Sequence, residues 1–108
     1  EDAHALLLRH LTPEQRRSWQ YQRAFEVQTA RGVIVISNGR IHNILERATG
    51  TTYCAAPEGA LPLADVVLAQ KLALEADVDE FLRGARQRPG RGGAIVARVE
   101  LFQANFRY

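Results

Sequence analysis

Val33-Ile34-Val35-Ile36 is β-branched at every position and runs straight into Ser37-Asn38-Gly39. β-Branched side chains are stiff at χ1 and fit a pleated surface. Asn-Gly is the pair that a two-residue type I′ hairpin selects, because both of its central residues need positive φ. The chain is thereby committed to an antiparallel hairpin near its middle, and the rest must fold around it. Upstream, Phe25-Glu26-Val27-Gln28-Thr29 alternates with period two and ends at Arg31-Gly32. Downstream, a turn at Ala48-Thr49-Gly50 leads to Thr51-Thr52-Tyr53-Cys54-Ala55. Together these segments predict a four-stranded antiparallel meander over residues 24–56.

A two-residue turn fixes register, and register fixes faces. With Ser37 opposite Arg40, Ile36 pairs with Ile41 and Ile34 with Asn43, so Ile34, Ile36, Ile41 and Leu45 share one face. Val33, Val35, His42, Ile44 and Glu46 then form the other. A sheet with one wet side alternates cleanly, yet this hairpin is apolar on both sides near its middle. A helix, a C-terminal strand or another subunit must cover the second face.

Around the meander lie helices. Asp2 caps a short apolar helix over Ala3 to His10, and Thr12-Pro13-Glu14-Gln15 is a stronger start, with a capping threonine, proline at the first helical position and Gln three residues after the cap. This second helix runs to about Gln22 and is pinned to the body by Trp19, its one large hydrophobe besides Tyr21. Pro62 opens a long helix through Glu75 whose hydrophobes form no single stripe, which means burial on more than one side. Asp77 with Glu80 restarts a short helix that Gly84 ends. Beyond it, Ala94 to Phe102 reads as a strand with Ile95, Ala97, Val99 and Leu101 on one side. The expected fold class is α+β: N-terminal helices, a four-stranded antiparallel meander, a long buried helix and a C-terminal strand after an Arg/Gly linker. At 108 residues this is one domain. Its body covers residues 1–84, a flexible basic linker 85–93 and a strand arm 94–108.

Charge is unevenly placed along that plan. Residues 1–80 carry eight basic and eleven acidic side chains, whereas residues 81–108 carry six arginines against Glu100. Arg83, Arg86, Arg88 and Arg91 sit in a glycine-rich stretch, with Phe102, Phe106 and Tyr108 downstream. Arginines contact phosphates and stack on bases, and aromatics add platforms, so residues 83–91 are candidates for nucleic-acid contact. A solvated linker or an arm for a second subunit accounts for the same letters.

Other chemistries find less support. Cys54 is the sole cysteine, which excludes an internal disulfide, and it makes no zinc spacing with His4, His10 and His42. No metal and no cofactor are expected. If the turn at 48–50 sets Arg47 opposite Thr51, Cys54 pairs with Ile44 and lies diagonal to His42 on one face, the beginning of a thiol–imidazole pair. A loop shorter by one residue moves Cys54 to the other face, and a buried cysteine beside a half-exposed histidine explains the letters equally. Asp77, Asp79 and Glu80 read as a helix start rather than a calcium loop. Apolar runs such as Ala5–Leu8 and Val66–Ala69 are far short of the roughly 20 residues that span a bilayer. The start at Glu1-Asp2 is acidic where a secretory signal is basic, and the lack of an initiator methionine reads as a mature or trimmed start. With one thiol, the expected setting is the cytoplasm.

Over residues 11–83 the chain resembles small uncharacterised open reading frames of bacteria and their phages. The residues carrying the likeness are Leu11-Thr12-Pro13-Glu14-Gln15, Phe25-Glu26-Val27, Asn43-Ile44, Tyr53-Cys54 with Pro57, and Leu63-Ala64-Asp65-Val66-Val67-Leu68-Ala69-Gln70-Lys71-Leu72. The resemblance implies no function. The leading functional expectation is a non-enzymatic, self-associating interaction module, a homo-oligomer with no membrane contact, using Val33, Val35, Ile44, Ile95, Val99 and Leu101. An arginine-mediated nucleic-acid binder is the alternative, and an enzyme using Cys54 and His42 a distant third.

Overall fold

A computed structural model describes residues 1–39, 41–56 and 59–88. The chain is α+β, in the order α1 (Ala3–Arg9), α2 (Pro13–Gln22), β1 (Ala24–Thr29), β2 (Gly32–Ser37), β3 (Ile44–Glu46), β4 (Thr51–Cys54), α3 (Leu63–Ala76), α4 (Val78–Arg83) and β5 (Arg86–Arg88). Its antiparallel sheet has the strand order β1-β2-β3-β4-β5.

The helix starts follow their caps. Thr12 Oγ1 accepts from the Gln15 N–H at 3.1 Å while Gln15 Oε1 accepts from the Thr12 N–H at 3.0 Å, the reciprocal capping box. Asp2 and Asp77 cap α1 and α4 through Ala5 and Glu80. Trp19 anchors α2: its indole is buried, packs edge-on to Phe25 at 5.8 Å and donates to His4 Nε2 at 3.3 Å. Two further α2 side chains close off the free edge of the sheet. Gln15 Nε2 donates to the Glu26 carbonyl at 2.7 Å and Ser18 Oγ to the Ala24 carbonyl at 2.6 Å, which satisfies backbone groups that would otherwise template another strand.

One face of the sheet carries the core. Phe25, Val27, Ile34, Ile36, Ile44 and Tyr53 meet Leu7, Trp19, Val67, Leu74 and Phe81 from the helices. α3 is buried on several sides, at Val66, Val67, Leu68, Gln70, Lys71 and Leu74.

The hairpin register differs from the sequence expectation. Ile36 pairs with Ile44, Val35 with Leu45 and Ile34 with Glu46. Ile44 and Glu46 therefore lie on the core face and Leu45 on the other, the reverse of the expected assignment, and Ile44 leaves the set of exposed self-association candidates. Among the described residues neither Asn38 nor Gly39 has the positive φ of a type I′ turn; His42 does, at 51°. The Ser37 N–H donates to the Asn43 carbonyl at 2.8 Å, so the hairpin closes between Ser37 and Asn43 rather than between Ser37 and Arg40. A tertiary clasp outweighs the local turn preference: Asn43 Nδ2 donates to the Ser37 carbonyl at 3.1 Å and to Gln70 Oε1 at 2.8 Å, and Gln70 Nε2 donates to the Ala55 carbonyl at 2.8 Å.

The next turn is also longer than expected. Glu46 pairs with Thr51 across a four-residue loop in which Gly50 takes φ 76°. The fifth strand replaces the start of the expected linker, because Arg86 and Arg88 alternate with Gln87 and pair with Cys54 and Thr52 of β4. The expected C-terminal strand, with Ile95, Val99 and Leu101, lies outside the described residues, as does Arg91.

Candidate functional site

The second face of the sheet is the site to which the candidate residues converge. The described helices pack on the core face or, in the case of α2, at the β1 edge. The strand registers place Glu26, Val35, Leu45, Thr52 and Arg88 side by side in one row running across all five strands of this outer face. A second row begins at Gln28 and Val33 and continues to Arg47, whose N–H donates to the Val33 carbonyl at 3.1 Å. Arg47 reaches across β2 to Glu26 at 2.9 Å. The centre of the face is thus apolar, with half-buried Val33, Val35 and Leu45 beside the buried Thr52 and Cys54, while Glu26, paired with Arg47, stands on β1 and Arg88 on β5.

Polarity of the same sign extends beyond the face. Along the β1 edge runs a groove of about 630 Å³ whose lining includes Glu14, Glu26 and Glu75. The β5 side carries Arg83, Arg86 and Arg88. These three do not form one patch, however. Arg83 belongs to α4, where it is ion-paired with Glu80, whereas Arg86 and Arg88 belong to the outer face.

His42 and Cys54 do come together, in an unexpected way. The β3–β4 register puts Tyr53, not Cys54, opposite Ile44, so Cys54 belongs to the outer face. The His42 backbone N–H donates to Cys54 Sγ at 2.8 Å, and the His42 ring lies with Nδ1 3.1 Å from the Thr52 hydroxyl. The thiol is fully buried. Burial pushes it up, an effect that the His42 N–H and the charges of Arg86 and Arg88 offset only in part. A raised thiol beside a ring held by another side chain is arranged as structure rather than as an activated nucleophile.

Burial pushes the His42 imidazole below its ordinary value of 6.5, and Arg88 and Arg86 push it further, while a hydrogen bond to Thr52 acts the other way. A histidine lowered in the folded state binds fewer protons there than in the unfolded chain, so its contribution to stability is complete above about 6.5 and is lost as pH falls below that value and through the lowered folded-state one. The urea midpoint is expected to drop from about pH 8 to about pH 5, and more than in His42→Asn, since asparagine tolerates the left-handed backbone and does not titrate. An equal drop in the variant counts against His42 as the source.

On the core face, sequence reasoning passed over a polar cluster. Arg31 lies 3.2 and 3.3 Å from the two Glu46 carboxylate oxygens, Tyr53 Oη donates to Glu46 at 2.7 Å, and Asp79 lies 3.5 Å from Arg31. Burial first, and then Glu46, push the Tyr53 phenol up to about 12. The Arg31-Gly32 turn swings the guanidinium under the sheet, which no local pattern announces. Among the described residues no three His, Cys, Asp or Glu side chains are grouped to hold a metal ion. Nor, among them, is any helix long and apolar enough to cross a membrane. No family model, no curated protein and no solved structure matches the chain.

Proposed function

We propose that the protein is a non-enzymatic interaction module that self-associates through the outer face of its sheet. The observation that carries this reading is the row Glu26, Val35, Leu45, Thr52 and Arg88, apolar in the middle and charged at its rim. An apolar core with a polar rim is the anatomy of a protein–protein interface. Val33 and Val35 remain in the interaction set, and Leu45 joins them in place of Ile44.

Light scattering coupled to gel filtration is expected to give twice the chain mass at both low and high salt. Leu45→Glu is expected to weaken the association at least tenfold, since it places a charge where an apolar side chain worth about 1.5–3 kcal/mol is buried. A monodisperse monomer at high concentration overturns the reading.

The second reading is nucleic-acid binding through Arg86 and Arg88. It is favoured by their common position on one face and by the positive potential they impose on His42. A monomer whose mass rises only with a mixed-sequence oligonucleotide at low salt, and falls again as salt rises, supports this reading instead.

A further inference from the structure

Trp19, the anchor of α2, is buried, and its one polar atom ends on a histidine. The indole N–H donates to His4 Nε2 at 3.3 Å, and Arg23 Nη1 donates to the same nitrogen at 3.2 Å. The Arg23 guanidinium also lies over the Trp19 ring, 5.6 Å from its centre. Arg23 is the C-cap of α2, at φ 58°, where the chain leaves the helix for β1. His4, in the first turn of α1, thus ties α1 to the end of α2.

We infer that this contact is a proton-operated latch, which holds while the His4 imidazole is neutral and is released when the ring takes up a proton. It acts within one chain and is independent of what the outer face of the sheet binds.

Indole and guanidinium nitrogens only donate hydrogen bonds. Both therefore need the lone pair of Nε2, and the neutral ring that fits carries its proton on Nδ1. A protonated imidazole donates from both nitrogens, so turning the ring over offers no acceptor either. Protonation also sets an imidazolium beside the Arg23 guanidinium. His4 is exposed, so water and salt screen that repulsion, but they do not give the indole N–H its acceptor back. The lost acceptor decides the outcome, and the exposed ring leaves for water.

Among the described residues no carboxylate forms an ion pair with the ring that would hold it in place once charged. Near α1, Glu1 is paired with Arg9 and Asp2 accepts from the Ala5 N–H. On α3, Glu75 is paired with Lys71, and neither Asp65 there nor Glu14 on α2 pairs with His4. Arg16 of α2 donates to the Leu8 and Leu11 carbonyls, and the His10 ring lies on the Leu6 carbonyl. Arg23 is the charged group that meets His4. The latch stands beside a contact that closes the β1 edge, since Ser18, next to Trp19, donates to the Ala24 carbonyl.

Trp19 is the sole tryptophan, so a single indole resonance in the NMR spectrum reports the latch. Between about pH 8 and pH 5, the range in which histidine changes charge, the indole proton is expected to move upfield in one step that coincides with the titration of the His4 ring protons. At the alkaline end, the ring nitrogen shifts of His4 are expected to show Nε2 bare and Nδ1 protonated. In His4→Gln, whose side-chain oxygen accepts without titrating, the indole resonance is expected to stay in place over the same range. His10→Gln and His42→Asn are expected to keep the wild-type movement. A stationary indole resonance in the wild type, an equal movement in His4→Gln, or a proton on Nε2 at the alkaline end overturns the latch. The two wild-type measurements decide the matter even if His4→Gln does not fold.

Discussion

Gln70→Leu is expected to destabilise the fold by about 2–4 kcal/mol, although leucine is close in size and the site is wholly buried. The amide has both of its ends engaged: Oε1 accepts from Asn43 at 2.8 Å, and Nε2 donates to the Ala55 carbonyl at 2.8 Å. Removing it strands the Ala55 carbonyl and part of the Asn43 amide away from water, and each such group carries its desolvation cost. The midpoint of urea unfolding reads the effect, with the slope unchanged if the native state stays compact. Asn43→Ala is expected to fall in the same range. Because the two side chains share one network, the double variant is expected to lose less than the sum of the singles by about 1 kcal/mol or more. Additive losses mean that Gln70 and Asn43 act separately and that the clasp does not set the register.

That clasp explains where the sequence was readable and where it was not. The Thr12-Pro13-Glu14-Gln15 cap, the Trp19 anchor, the Asp77 restart and the four strands of the meander are local signals, each written within a few residues, and they stand in the structure as expected. The faces of the hairpin are not local. Asn38-Gly39 favours a two-residue turn, but the strands close instead at Ser37 and Asn43, because Asn43 gains Gln70, 27 positions away, as a buried partner. Moving the pairing from Ile36 with Ile41 to Ile36 with Ile44 turns over every side chain of β3. It delivers Glu46 to Arg31 and Tyr53 and places Leu45 outside. One signal was available. Gln70 lies in a helix whose hydrophobes surround it, and a buried glutamine needs partners on another element. The arginine stretch shows the same limit in reverse: its composition suggested a linker, yet Arg86-Gln87-Arg88 alternates as a strand does and finds β4 to pair with.

Glu46→Ala is expected to cost about 2–4 kcal/mol, and the reasoning rests on which charge is left behind. The Glu46 side chain is 7% exposed and its Arg31 partner 37%. When Glu46 is removed, the guanidinium regains some water and keeps Asp79 nearby, so the loss lies mainly in the buried Tyr53 hydroxyl without its acceptor and the space left behind. When Arg31 is removed instead, a carboxylate is left deep under the sheet. Arg31→Ala is therefore expected to cost at least as much as Glu46→Ala near neutral pH, an order opposite to what side-chain burial alone would suggest. Tyr53 supplies an independent readout. Its phenol, held up to about 12 by burial and by the adjacent carboxylate, is expected to ionise nearer its ordinary value of 10 in Glu46→Ala, since burial persists but the negative neighbour is gone. In the wild type a raised phenol adds stability that is fully present below 10 and is lost as pH rises toward 12, and this alkaline loss is expected to begin from the same pH but end sooner in the variant. Unchanged unfolding together with an unchanged phenolate titration means that the Arg31–Glu46–Tyr53 cluster is a bystander. A shifted titration with unchanged stability means that the three side chains touch but exchange one set of partners for water at no net cost.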